Sequence, residues 1–113
     1  MSRTDAIDAA LRYFDDERDG YFNDLAELVA IPTESQNPAR LPEMRQYLEG
    51  PVGARLCKLG YSLRIFDNPL QGCGPVLLAS RVEDAALPTY ICYGHGDVVL
   101  GMEQKDPLLV RWQ

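Results

Sequence analysis

The sequence is poor in histidine and cysteine, has no long apolar run, and lacks a basic cluster. Each scarcity removes a class of function. No apolar stretch approaches the roughly 20 residues that a bilayer-crossing helix requires, so no membrane partner is expected. The three cysteines, Cys57, Cys73 and Cys92, are odd in number and far apart, which suits neither a disulfide framework nor a close metal-type pair. They are expected to be reduced, partly buried thiols of a cytosolic protein. Bases number 11 against 17 acids, for a net charge of −6. Phosphate backbones need a basic patch, so no nucleic-acid partner is expected. Gly72-Cys73-Gly74 leads into Pro75 and an apolar run rather than a helix, unlike a phosphate-binding glycine loop. No internal repeat or low-complexity tract is present. Residues 1–5 lead into an acidic amphipathic segment, unlike a secretory or transit peptide, and the expected location is cytoplasmic.

What is present fits one modest domain. The chain has 113 residues, 46% of them hydrophobic and 25% charged, which is ordinary for a globular protein. Nine of the 17 acids but only three of the 11 bases fall in residues 1–34. The first helical region therefore carries the net charge, and its plain reading is a solvated helix face. Ile7, Ala10, Leu11 and Phe14 repeat at helical spacing, and Tyr21, Phe22, Leu25, Leu28 and Val29 continue the pattern. Thr4 is the expected N-cap, and Asp19-Gly20 predicts a kink or a division into two helices. The aromatics Tyr13, Phe14, Tyr21 and Phe22 read as core anchors. Ile31-Pro32 ends the element, because the residue before proline resists the α conformation. Residues 33–40 read as a loop.

A second helical pattern passes through Met44, Leu48, Val52, Leu56 and Leu59. A proline inside a helix costs about 3 kcal/mol but little in the first turn. The spacing therefore predicts a break at Gly50, with Pro51 opening a segment that closes at Gly60. The period then changes. Tyr61 to Phe66 alternates like a strand with one face better buried, Val76 to Val82 predicts a second strand, Glu83-Asp84 a turn, and Thr89 to Tyr93 a third strand. The runs at 76–79 and 90–92 are almost wholly apolar, which suits strands covered on both faces. The order predicts an α/β layered domain, with N-terminal helices followed by strands of a mostly parallel or mixed sheet. Leu108-Leu109-Val110 suggests a further strand without the elements to cover it, so the domain is expected to be incomplete.

The chain's one histidine lies in Cys92-Tyr93-Gly94-His95-Gly96-Asp97-Val98-Val99. At a strand's C-terminal end it stands where open α/β sheets bind ligands. Flanking glycines let the backbone turn and leave the ring accessible. Asp97 is near enough to orient the imidazole, as carboxylates do for metal-bound histidines. A hydrogen-bonded structural or surface histidine accounts for the pattern as well, and His-x-Asp alone is a weak motif. Cys92 stands three residues before His95, but strand alternation aims the two apart, so it reads as a packing residue.

The wider segment, residues 89–99, resembles the first metal motif of the co-catalytic zinc metallopeptidase family, an apolar strand followed by Gly-His-x-Asp-Val-Val. That family includes aminoacylases, acetylornithine and succinyl-diaminopimelate deacylases, and carnosine-type dipeptidases. Residues 25–33 resemble its first helix and Ile-Pro-Ser/Thr turn, and Leu59-Gly60-Tyr61 its step into the first strand. The resemblance implies that residues 1–113 are the N-terminal part of a single metallopeptidase catalytic domain, without its lid or dimerisation domain. It implies that His95 is a zinc ligand and Asp97 the catalytic-site acid that orients it.

The family uses two zinc ions, and one imidazole suits cobalt or manganese equally. The implied substrates are dipeptides or N-acyl amino acids, and the complete protein is expected to be a homodimer. The family's bridging aspartate, paired glutamates, further acid and last histidine find no counterpart here. Asp106 lacks the glycine-rich surroundings of the bridging aspartate and stays unassigned. The isolated chain is therefore expected to be inactive. The alternative is a truncated chain without catalysis, acting, if at all, as a small binding or assembly module.

Overall fold

The computed structural model describes residues 2–98. The expected strand at 108–110, Asp106 and the final valine of the histidine segment, Val99, lie outside them. The chain divides into two compact units between Ile31 and Pro32, and among the described residues no helix is long and apolar enough to cross a membrane.

The first unit holds two helices, α1 (Arg3–Asp16) and α2 (Arg18–Val29). Ser2, not Thr4, caps α1. The Ser2 hydroxyl accepts from the Asp5 N–H at 3.1 Å, and the Asp5 carboxylate accepts from the Ser2 N–H at 2.9 Å. This reciprocal box satisfies two otherwise orphaned donors, which a cap at Thr4 would leave unpaired. The expected division occurs, but at Glu17 (φ −107°, ψ 18°) rather than at Asp19-Gly20. Acids Asp15 and Asp16 end α1 with no base in its last turn, an unfavourable arrangement at the negative end of the helix dipole.

Neither helix has a buried residue, so the expected core anchors are not core. Phe14, Tyr21 and Phe22 instead pack edge-on against one another. Ring centroids lie 5.3 Å apart for Phe14–Tyr21 and 5.6 Å for Tyr21–Phe22, with Arg18 over the Phe14 ring at 6.0 Å. Tyr13 lies outside this cluster and is exposed.

The second unit begins with a loop. A 3₁₀ turn (Pro38–Arg40) is capped by the Asn37 side chain, which accepts from the Ala39 N–H. Helix α3 (Leu41–Tyr47) follows, then a wide π turn (Leu48–Val52), then α4 (Gly53–Lys58). The break falls at the expected Gly50, whose ψ of −105° leaves the helical region. Gly60 closes α4 at φ +83°. There the Gly60 N–H donates to the Cys57 carbonyl and the Tyr61 N–H to the Leu56 carbonyl. This is a Schellman ending, in which glycine adopts the left-handed conformation without steric cost.

Strands β1 (Ser62–Phe66) and β2 (Val76–Ser80) pair antiparallel, with Arg64 opposite Leu78. The chain is thus a mixed α/β structure with a two-stranded sheet among the described residues. Leu63, Ile65, Leu77 and Ala79 form the more covered face, whereas Phe66, Val76 and Leu78 are exposed. The sheet is therefore covered on one face, not the two that its apolar runs suggest.

Residues 87–98 form no helix or strand, so the expected third strand at 89–93 is absent. Tyr90, Ile91 and Tyr93 are 85%, 93% and 89% exposed. An apolar run becomes a strand only when a ladder partner takes its backbone groups, and the described sheet holds only β1 and β2. All three cysteines are free and exposed, which corrects the expected partial burial.

Gly53 is where α4 approaches the sheet. A Cβ there would stand 2.8 Å from the Leu48 carbonyl oxygen and 3.2 Å from Leu63 Cδ1. Gly53→Ala gains about 1 kcal/mol of helix propensity, but overpacking against backbone costs about 1–3 kcal/mol. The expected net result is destabilisation, seen as a lower urea midpoint. An unchanged or higher midpoint would contradict this packing.

Candidate metal centre

Residues 96–98 are seated on the loop that opens the second unit. Thr33 is the anchor. It is 3% exposed, and its hydroxyl donates to the Gly96 carbonyl in a short hydrogen bond. Its own carbonyl accepts the Val98 N–H at 3.4 Å. Two residues on, the Ser35 N–H donates to Asp97 Oδ1 at 2.8 Å. Three consecutive residues are thus tied to one turn across more than sixty positions of sequence.

The seat has a floor as well. Gly96 lies so close to the Tyr47 ring that a Cβ would overlap it, whereas a Cβ at Gly94 would meet nothing within 4 Å. His95 stands between a packed glycine and an open one, and is itself exposed. Its ring lies 6.5 Å from that of Tyr93. The accessible ring matches the expectation from the flanking glycines. The strand that was to carry it is replaced by an irregular segment held by side chains.

Asp97 is exposed, yet its carboxyl is held below the usual aspartate range. The Ser35 N–H is the main cause, the Ser35 hydroxyl and the neighbouring His95 add to it, and partial desolvation opposes it. A carboxyl whose value is lowered on folding contributes stability above its unfolded value, and that contribution is lost as pH falls through the folded one. The Asp97–Ser35 contact is therefore expected to be intact above about pH 4 and to fail in more acidic solution. The Ser35 amide proton shift followed against pH reports this. A shift that stays flat through the acid range would contradict it.

The donor set fits a share of a divalent-metal site: one exposed imidazole and one anchored carboxylate. Zinc takes four ligands in structural sites and about three plus water in catalytic ones. Among the described residues no group of three or more His, Cys, Asp or Glu side chains is placed to hold a metal ion. Cys92 is exposed and does not act as the packing residue its position suggests.

Thr33, Ser35 and Tyr47 are the site's unforeseen members. Thr33 ends the Ile-Pro-Thr turn, so its place in a recognisable segment was the one signal that could have marked it. Nothing local marks Ser35 or Tyr47. No family model matches the chain, and no solved structure matches it either.

Proposed function

We propose that this chain is the N-terminal part of a zinc-dependent amide hydrolase acting, in its complete form, on dipeptides or N-acyl amino acids. The observation that carries the reading is the junction of Thr33 and Ser35 with Gly96 and Asp97. It sets the threonine of the Ile-Pro-Thr turn against the residues that follow His95, two places on which the resemblance to the co-catalytic zinc metallopeptidases rests. In this reading β1 and β2 belong to a larger, mostly parallel or mixed sheet of a catalytic domain, and the complete protein is a cytoplasmic homodimer.

His95 supplies one metal ligand. Asp97, held by Ser35, would orient the imidazole, as ligand-supporting acids do. Zinc held with the help of His95 would supply Lewis-acid activation of a water and of the scissile carbonyl. Cobalt or manganese would suit the imidazole as well. The general base and the other ligands come from outside these residues.

The coding sequence beyond Gln113 tests the reading. Continuation into a glycine-rich aspartate loop and a Glu-Glu motif supports the hydrolase. A stop codon favours a non-catalytic binding or assembly module instead. The 113-residue chain alone is expected to show no one-to-one zinc site of submicromolar affinity in calorimetry, since its described residues bring no three metal-ligating side chains together. A tight site that disappears in His95→Ala would contradict the shared-site account.

A further inference from the structure

We propose that Thr33 and Ser35 are positioning residues, whose turn fixes the backbone of residues 96–98 and thereby presents the His95 imidazole to solvent. The use of that presentation for metal capture rests on the function proposed above, whereas the fixing itself rests on geometry alone.

Two observations carry it. The first is the distribution of contacts. Gly96, Asp97 and Val98 are each hydrogen-bonded to Thr33 or Ser35, while residues 90, 91 and 93 are almost fully exposed. The tether therefore begins directly after the histidine. The second is burial. Thr33 is the most completely buried polar residue described, and its hydroxyl is spent on a main-chain carbonyl 63 positions away.

A buried threonine hydroxyl without a partner would be costly. Paired with Gly96, it makes the 33–35 turn specific for this one segment. Tyr47 lies against the arrangement, since a Cβ at position 96 would overlap its ring as it stands. The flank on the Gly94 side is open, so the backbone is held on one side of His95 and free on the other. A ring so placed can meet a ligand or metal without first ordering its own backbone, which lowers the entropic cost of capture.

Amide hydrogen exchange by NMR on the full 113-residue chain tests this, together with relaxation of the His95 ring carbons. Thr33→Val, which keeps shape and removes the hydroxyl, is expected to speed exchange at Val98 and Ser35 by about tenfold, the effect of one net hydrogen bond. It should also loosen the His95 ring. Thr33→Ser should restore both. Unchanged exchange in Thr33→Val, or a serine variant that behaves like valine, overturns the proposal.

Should Thr33→Val fail to fold, Asp97→Ala decides instead, since it removes an exposed side chain. Exchange at Ser35 should then rise by about tenfold, and no rise overturns the proposal. Zinc titration of the wild-type chain, read at the His95 ring, is a separate arm. No perturbation at millimolar zinc overturns the metal reading, while the exchange result still decides the positioning role.

Discussion

On the proposed hydrolase reading, His95→Ala in a longer form of the protein is expected to lower zinc-dependent amide hydrolysis by about 10³-fold or more. A catalytic metal contributes several kcal/mol of transition-state stabilisation, and each 1.36 kcal/mol is a factor of ten in rate. Losing a ligand forfeits much of that contribution. Asp97→Ala should cost less, about 10–100-fold, as expected for a group that orients a ligand rather than binding the metal. The ordering of the two variants is the informative part. Steady-state rates with an N-acetyl amino acid at saturating zinc give it. An Asp97 variant as impaired as the His95 variant would make Asp97 a direct ligand, and equal, small effects in both would remove the site from the chemistry.

Gly96→Ala is expected to be the most damaging single change to the seat itself. The added Cβ would fall within the Tyr47 ring, so either that ring moves or residues 96–98 lift away. Overpacking of this kind costs about 1–3 kcal/mol. The seat is held by few contacts, all near the surface apart from Thr33, so the segment should lift before the helices and sheet unfold. The expected signature is exchange at Ser35 and Val98 faster by tenfold or more, with a small change in the melting midpoint. Tyr47→Ala added to Gly96→Ala should recover part of the protection by opening the space. If Gly96→Ala leaves exchange unchanged, the Gly96–Tyr47 packing is not what holds the segment.

Local features of this chain were legible because local forces set them. The division of the first helix, the break at Gly50, the helix end at Gly60 and the alternation of β1 each follow from a few neighbouring residues. The helix cap was displaced by two positions, because Thr4 looks adequate until Asp5 is seen to pair back to Ser2.

The larger misses are those in which a distant partner decides. Residues 89–93 have the composition of a buried strand, yet they lie exposed, since pairing and not composition makes a strand. The aromatics of α1 and α2 carry core-like spacing, but Phe14, Tyr21 and Phe22 pack on one another without any residue of either helix being buried. In the candidate site, His95 and Asp97 could be read from their glycine setting. Thr33 and Ser35 could not be assigned as their partners, because no periodicity links positions separated by more than sixty residues.

The central claim is that His95 binds a zinc ion as part of a hydrolase site. The direct measurement is a crystal of the complete protein grown with zinc, with diffraction recorded on both sides of the zinc absorption edge. The account predicts an anomalous peak about 2.0–2.1 Å from a ring nitrogen of His95, with the Thr33–Gly96 and Ser35–Asp97 contacts intact beneath it. Zinc bound wholly by other residues, with His95 still facing solvent, would contradict it.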